Sequence, residues 1–262
     1  MCKEGKQQSP VNFDSSLDTV HGCPGAGSSD WRVNVSMPAM NAVNVSNLGH
    51  TVRWTPADGV RRGMVVNGIE YSLIQFHIHT PSEHHVDNMP FDAEWHFYHT
   101  SASGHTAVLT YLIEASDTNH TEFQVLFDEV PIHEGESEAH KDKFTATHVL
   151  LELLARGGFY SYNGSLTSPN CDENVRWIVA AAPLQLGRLQ IRRLARTVGF
   201  SARPPQENQD LLGHRRPNAT SGKHFNSCQS MTSGTSATAS LAPTVIMSGA
   251  AAAAVWLLAS WI

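Results

Sequence analysis

The sequence predicts a mostly β domain with a few short helices, and three observations carry that prediction. Short apolar runs alternate with turns rich in Gly, Pro, Asn and Asp between about residues 7 and 206. Val43 to Val45, Thr51 to Trp54, Met64 to Val66, Tyr71 to His79, Glu94 to His99, Ala107 to Ile113 and Val175 to Ala180 all read as strands. By contrast, His148 to Ala155 has a helical period, with Val149, Leu150, Leu153 and Leu154 on one face. There is no internal repeat, so the stretch reads as one compact domain, residues 1–206.

Composition narrows the function classes. The 262 residues carry a net charge of −6 spread along the chain, with no basic block for nucleic acid and no acidic tail. Histidine is in excess, with 15 copies, and it is both the commonest transition-metal ligand and the side chain that titrates near neutrality. The four cysteines, Cys2, Cys23, Cys171 and Cys228, include no Cys-x-x-Cys pair, which argues against a thiolate zinc site. An even number fits disulfides in a secreted protein, with three connectivities open. Asn-x-Ser/Thr sequons at Asn34, Asn44, Asn119, Asn163 and Asn218 agree with a secretory route and a glycoprotein.

Beyond the domain the texture changes. Residues 207–240 are rich in Ser, Thr, Asn and Gly and read as a stalk or linker. Residues 241–262 are apolar, and no charged residue occurs from Phe225 onward. This tail has the length of a membrane span. It also fits a glycolipid-anchor signal, with small residues and a polar spacer before it. Either reading places the protein on the outer face of the plasma membrane or on another secretory-pathway membrane. Met1 is followed by a polar stretch, not an apolar leader. The expectation is therefore that a leader precedes this sequence.

The strongest chemical signal is Gln75-Phe76-His77-Ile78-His79. Residues two apart on a strand share a face, so Gln75, His77 and His79 point one way and Phe76 and Ile78 the other. A second strand, Glu94-Trp95-His96-Phe97-Tyr98-His99, puts Glu94, His96 and Tyr98 on one face. If these strands are antiparallel neighbours, three imidazoles converge. Three neutral imidazoles and an open position describe catalytic rather than structural zinc. Gln75 can then accept the second ring N–H of His77, and Glu94 that of His96. His99 points away from His96 and reads as a core histidine; His84 and His85 are likewise not expected to be ligands.

At these residues the chain resembles the alpha-class carbonic anhydrases. The likeness runs co-linearly through Gln8-Ser9-Pro10-Val11-Asn12, Asn47-Leu48-Gly49-His50, Leu73 to His79, Ser82-Glu83-His84 and Ala93-Glu94-Trp95-His96. It continues through Ala107-Val108-Leu109, Tyr160 to Pro169, Val175-Arg176-Trp177-Ile178-Val179 and Ala202-Arg203-Pro204-Pro205-Gln206. It implies a central, twisted, mainly antiparallel sheet of about ten strands, and zinc-dependent reversible hydration of carbon dioxide to bicarbonate and a proton. It implies His77, His79 and His96 as zinc ligands. Thr167 would orient the attacking hydroxide and give its own hydrogen bond to Glu83, with Ser168 beside it. His50 would shuttle the proton. Val108, Leu166, Val175 and Trp177 would form the apolar wall for carbon dioxide, and Tyr162 would join a hydrogen-bond network. Cys2 and Cys171 would form a disulfide bracing the loop after Thr167, leaving Cys23 and Cys228 free, paired together, or paired between chains.

The sequence also departs from the family pattern. Tyr98 stands where a smaller apolar residue usually faces the substrate pocket. Arg53 replaces a neutral polar residue near the shuttle. Asn163 replaces a proline, and its sequon is expected to stay unmodified. The segment that usually precedes the Gln-Ser-Pro motif is read as missing from this sequence. The competing reading is a catalytically weak or inactive cell-surface binding or adhesion protein on the same fold.

Overall fold

The computed structural model describes residues 2, 5–16, 18, 32–128, 130–140 and 142–214. The apolar tail, most of the stalk, Cys23 and Cys228 lie outside the described residues. Among the described residues no helix is long and apolar enough to cross a membrane.

The strands are, in chain order, β1 (Asn12–Phe13), β2 (Val33–Ser36), β3 (Val43–Asn47), β4 (Val52–Pro56), β5 (Gly63–Val66), β6 (Ile69–His79) and β7 (His85–Val86). There follow β8 (Met89–Pro90), β9 (Ala93–Thr100), β10 (Thr106–Ser116), β11 (Ser137–His140), β12 (Phe159–Ser165) and β13 (Glu173–Gly187). The helices are α1 (Val125–Asp128), α2 (Thr147–Gly157), α3 (Arg188–Val198) and α4 (Gln209–His214). Ten strands form one sheet in the order β11-β3-β4-β6-β9-β10-β13-β12, with β5 pairing with β6 and β2 with β5. Every pairing in it is antiparallel except β10 with β13. That parallel pair needs a long crossover, and α1, β11, α2 and β12 all fall within it. All seven strands read from the sequence are present, as is the helix.

Hairpins close where the turn residues allow it. Asn67 and Gly68 both take positive φ, at 51° and 83°, between β5 and β6. That is the Asn-Gly signature of a two-residue turn whose twist matches its strands.

One irregularity positions the site. The β6–β9 register slips between Leu73 and Gln75, so Ile74 is an extra residue, 45% exposed. Before the bulge the odd residues Tyr71 and Leu73 pack toward the main core; after it the even residues Phe76 and Ile78 do. A bulge of one residue reverses which face each side chain takes. Gln75, His77 and His79 are thereby released to the opposite face.

Both faces of the sheet are covered. The larger core holds Trp54, Phe76, Trp95, Phe97, Tyr111, Phe123 and Phe127. A second cluster, on the histidine side, holds Phe13, Val108, Leu112, Tyr162, Val175 and Trp177. Two findings extend the sequence reading. α3 was not foreseen, although Ile191, Leu194 and Val198 recur at helical spacing and are buried. The packed domain also runs past residue 206, where the linker was expected to begin. Asn208 Nδ2 donates to the carbonyls of Gln8 (3.0 Å) and Asn163 (3.1 Å), and Leu211 is buried.

Candidate metal centre and its surroundings

The pairing of β6 with β9 sets His77 directly across from His96 and His79 across from Glu94. The ligand atoms of His77, His79 and His96 lie within 4.8 Å of one another. Their ring centroids are 5.1, 5.1 and 4.7 Å apart. His79 and His96 are buried and His77 nearly so.

Each ring is oriented through its other nitrogen. His77 Nδ1–H donates to Gln75 Oε1 at 3.0 Å, and His79 Nδ1–H donates to the Ser201 carbonyl at 2.9 Å. His96 Nε2–H donates to Glu94 Oε1 at 2.6 Å, since an ionised carboxylate only accepts. Three lone pairs therefore remain, on His77 Nε2, His79 Nε2 and His96 Nδ1. Burial pushes the His77 pKa well down, helped by His79, His96 and His50, so its ring stays neutral. Burial likewise lowers His96. Buried His79 Nε2 has no hydrogen-bond partner among the described residues. A three-imidazole set with an orphaned inward nitrogen on His79 fits a zinc ion, which would satisfy that atom.

His84, Glu94 and His96 also cluster, but both ring nitrogens of His84 and both oxygens of Glu94 already have protein partners. His84 Nδ1 meets Glu94 Oε1 at 2.6 Å, and its Nε2 meets the Tyr162 hydroxyl at 2.7 Å. Glu94 Oε2 accepts from the backbone N–H groups of Glu83 (2.8 Å) and His84 (2.7 Å). Burial pushes the Glu94 carboxyl up, yet the charges and hydrogen bonds of His84 and His96 outweigh it and hold the pKa well below the usual range. The chain of contacts continues from Tyr162 to Ser9 Oγ at 2.9 Å, which also accepts from Ser165 N at 3.0 Å. A side chain at Gly164 would collide with Ser9 Oγ and the Tyr162 ring, which explains a glycine there.

The residues named for the apolar wall lie together on the histidine side of the sheet. Strand register aligns Gln75, Tyr98, Val108, Trp177 and Tyr162 across β6, β9, β10, β13 and β12. Val108, Val175 and Trp177 are buried in one cluster, with Leu166 and Tyr98 packed against it. The Tyr98 hydroxyl lies 3.3 Å from Thr106 Oγ1. His50 is exposed, on a turn held by Gly49 N donating to Asn47 Oδ1 (2.8 Å) and Thr51 Oγ1 donating to Ile78 O (2.6 Å).

One expected contact is not formed. Glu83 Oε1 accepts from Arg203 N at 2.9 Å, whereas Glu83 Oε2 is buried without a hydrogen-bond partner among the described residues. The predicted bond from Thr167 to Glu83 is absent. Thr167 lies half-buried and Ser168 exposed on the loop after β12. That loop is fastened at its far end by the Cys2–Cys171 disulfide and by Gln8 Nε2 donating to Cys171 O at 3.3 Å.

The sequence reading gave no role to His84, Ser9, Ser201 or Arg203. His84, Ser9 and Arg203 sit inside the quoted motifs, so their positions were visible although their partners were not. Arg203 joins three segments: it also donates to Ser9 O at 2.6 Å and Gln8 Oε1 at 3.1 Å. Ser201 meets His79 through its carbonyl, which no residue type announces.

The eukaryotic-type carbonic anhydrase family pattern matches residues 1–222. A carbonic anhydrase of Neisseria gonorrhoeae is 34% identical over 205 residues, 78% of this chain and 75% of its own. One from Nostoc is 32% identical over 216 residues, 81% of this chain and 76% of its own. The solved alpha carbonic anhydrase of Aspergillus oryzae superposes with a TM-score of 0.68 at 31% identity, covering 79% of this chain and 86% of that one. The Thermovibrio ammonificans enzyme, solved with the inhibitor sulfanilamide, gives 0.67 at 31% identity over 78% and 85%. The chain belongs to the eukaryotic-type, or alpha, carbonic anhydrase family, whose reaction is the reversible hydration of carbon dioxide.

Proposed function

We propose that the chain catalyses carbon dioxide hydration with one zinc ion held by His77, His79 and His96. The observation that carries this reading is three imidazole nitrogens within 4.8 Å of one another, each ring fixed by Gln75, Ser201 or Glu94. Zinc held there would lower the pKa of water to about 7 and so supply a nucleophile at neutral pH. Val108, Leu166, Val175 and Trp177 hold carbon dioxide beside it, because a molecule with no net dipole is best solvated by an apolar wall. Thr167 orients the nucleophile once its loop brings the hydroxyl to Glu83 Oε2, which is the acceptor left open. His50, exposed yet within electrostatic reach of His77, carries the proton to bulk solvent. Sulfonamides are expected to inhibit, as sulfanilamide does the Thermovibrio relative. Residues 241–262 would attach the enzyme to a membrane.

Stopped-flow hydration with metal analysis on the same sample tests the proposal. Activity with about one zinc per chain is expected; a folded protein without zinc would refute it.

A further inference from the structure

The sheet face that carries the histidines continues onto β4, where Arg53 stands directly across from His77. Opposed residues of an antiparallel pair share a face, with Cβ atoms about 4.5–5.5 Å apart. Strand alternation agrees, because Val52 and Trp54 on either side of Arg53 are buried in the main core. Arg53 is partly buried, and its Nε is fully enclosed without a hydrogen-bond partner among the described residues.

Two other inward guanidinium groups among the described residues, those of Arg62 and Arg203, are satisfied by the protein. Arg62 binds both oxygens of Asp58 at 2.8 Å, and Arg203 binds Ser9 O and Gln8 Oε1. Around Arg53 the nearby acceptors are engaged elsewhere. Gln75 Oε1 serves His77, and Ser46 Oγ, on the next strand, takes the Ser137 hydroxyl at 2.8 Å. A buried donor with no protein acceptor is a group that needs an external one. A guanidinium fork matches the paired oxygens of a planar oxyanion.

We propose that Arg53 is an anion-binding residue, holding bicarbonate or a competing small anion beside His77. The identity of the anion as product rests on the function proposed above; the affinity for anions rests on Arg53 alone. A cationic side chain here favours anionic over neutral ligands of the same centre.

The test uses the full chain loaded with cobalt(II), whose visible spectrum reports ligand binding. At pH 8.5, bicarbonate, thiocyanate and uncharged imidazole are titrated into wild type, Arg53→Gln and Arg53→Lys. Loss of one nearby charge is expected to weaken both anions by about five- to tenfold. Lysine should recover part of that, and imidazole affinity and metal content should not change. Equal bicarbonate dissociation constants in wild type and Arg53→Gln overturn the proposal. An equal loss for imidazole also overturns it, because that marks a structural role. If the chain takes up no cobalt, the metal reading fails separately. Bicarbonate-dependent thermal stabilisation of the metal-free chain then decides the matter, and it must be present in wild type and absent in Arg53→Gln.

Discussion

The two faces of β6 and β9 are almost equally buried and chemically opposite. On one, Phe76 stacks on Trp54 (5.5 Å between centroids) and on Phe97 (4.9 Å), with Trp95 edge-on to both Trp54 and Phe76. On the other, one residue along, lie His77, His79, His96 and Glu94. The aromatic face is held by contact area, which is summed over many atoms and tolerates redistribution. The histidine face is held by individual hydrogen bonds, each of which fixes a ring. Burying such groups gains little stability by itself. The arrangement is kept for what it can bind, so damage to the two faces should be read by different instruments.

His96→Ala breaks the comparison most sharply on the chemical side. Hydration activity should fall at least ~1,000-fold and zinc drop well below one per chain. Retention of both would overturn the ligand assignment. Its neighbour Trp95→Ala should do the reverse. It removes a fully buried indole and is expected to cost about 3–5 kcal/mol in urea unfolding. The fraction still folded should keep its metal. Removing the disulfide by Cys2→Ser should cost about 2–5 kcal/mol and leave zinc affinity intact, since neither cysteine touches the histidines. Glu94→Gln lies between the two faces in effect. Losing the acceptor that orients His96 should weaken zinc binding about 10–100-fold, measured by chelator competition. It should also alter the acid limb of stability. The folded pKa of Glu94 is depressed, so its contribution is present above the unfolded value of about 4.3 and lost as pH falls through the folded one. Metal-free Glu94→Gln should show a shallower loss of stability in that range; an unchanged acid limb would count against the His84–Glu94–His96 network.

Much of this contrast was legible in the sequence. Alternation alone separated Phe76 and Ile78 from His77 and His79, and it placed Glu94 with His96. The bulge at Ile74 left a mark that the reading passed over: the apolar positions change from odd (Ile69, Tyr71, Leu73) to even (Ile74, Phe76, Ile78) where Leu73 and Ile74 stand side by side. Alternation carried from Tyr71 straight through to His79 would have put Tyr71 and the histidines on one face; the structure puts them on opposite faces. The reach of Arg203 to Glu83, Ser9 and Gln8 spans up to 195 positions in the chain, so no local pattern could reveal it. α3 was missed for a different reason. Its arginines obscure an apolar stripe of Ile191, Leu194 and Val198 that was available to read.

Tyr98 sharpens the comparison at its boundary, where a polar tip enters the apolar wall. It stands across from Val108 on one side and Gln75 on the other, and its hydroxyl is steadied by Thr106. The ring occupies space on the face where carbon dioxide is proposed to bind. Tyr98→Val should therefore enlarge the pocket and raise kcat/KM for hydration about threefold. The side chain is only partly buried and valine, like tyrosine, suits a strand, so stability should fall by no more than ~1 kcal/mol. A larger gain for bulky aromatic sulfonamides than for small anions would show that the phenol acts by excluding volume. A fall in turnover would mean that the hydroxyl serves the reaction, and Tyr98→Phe, which keeps the ring and removes only that group, would then reproduce the loss.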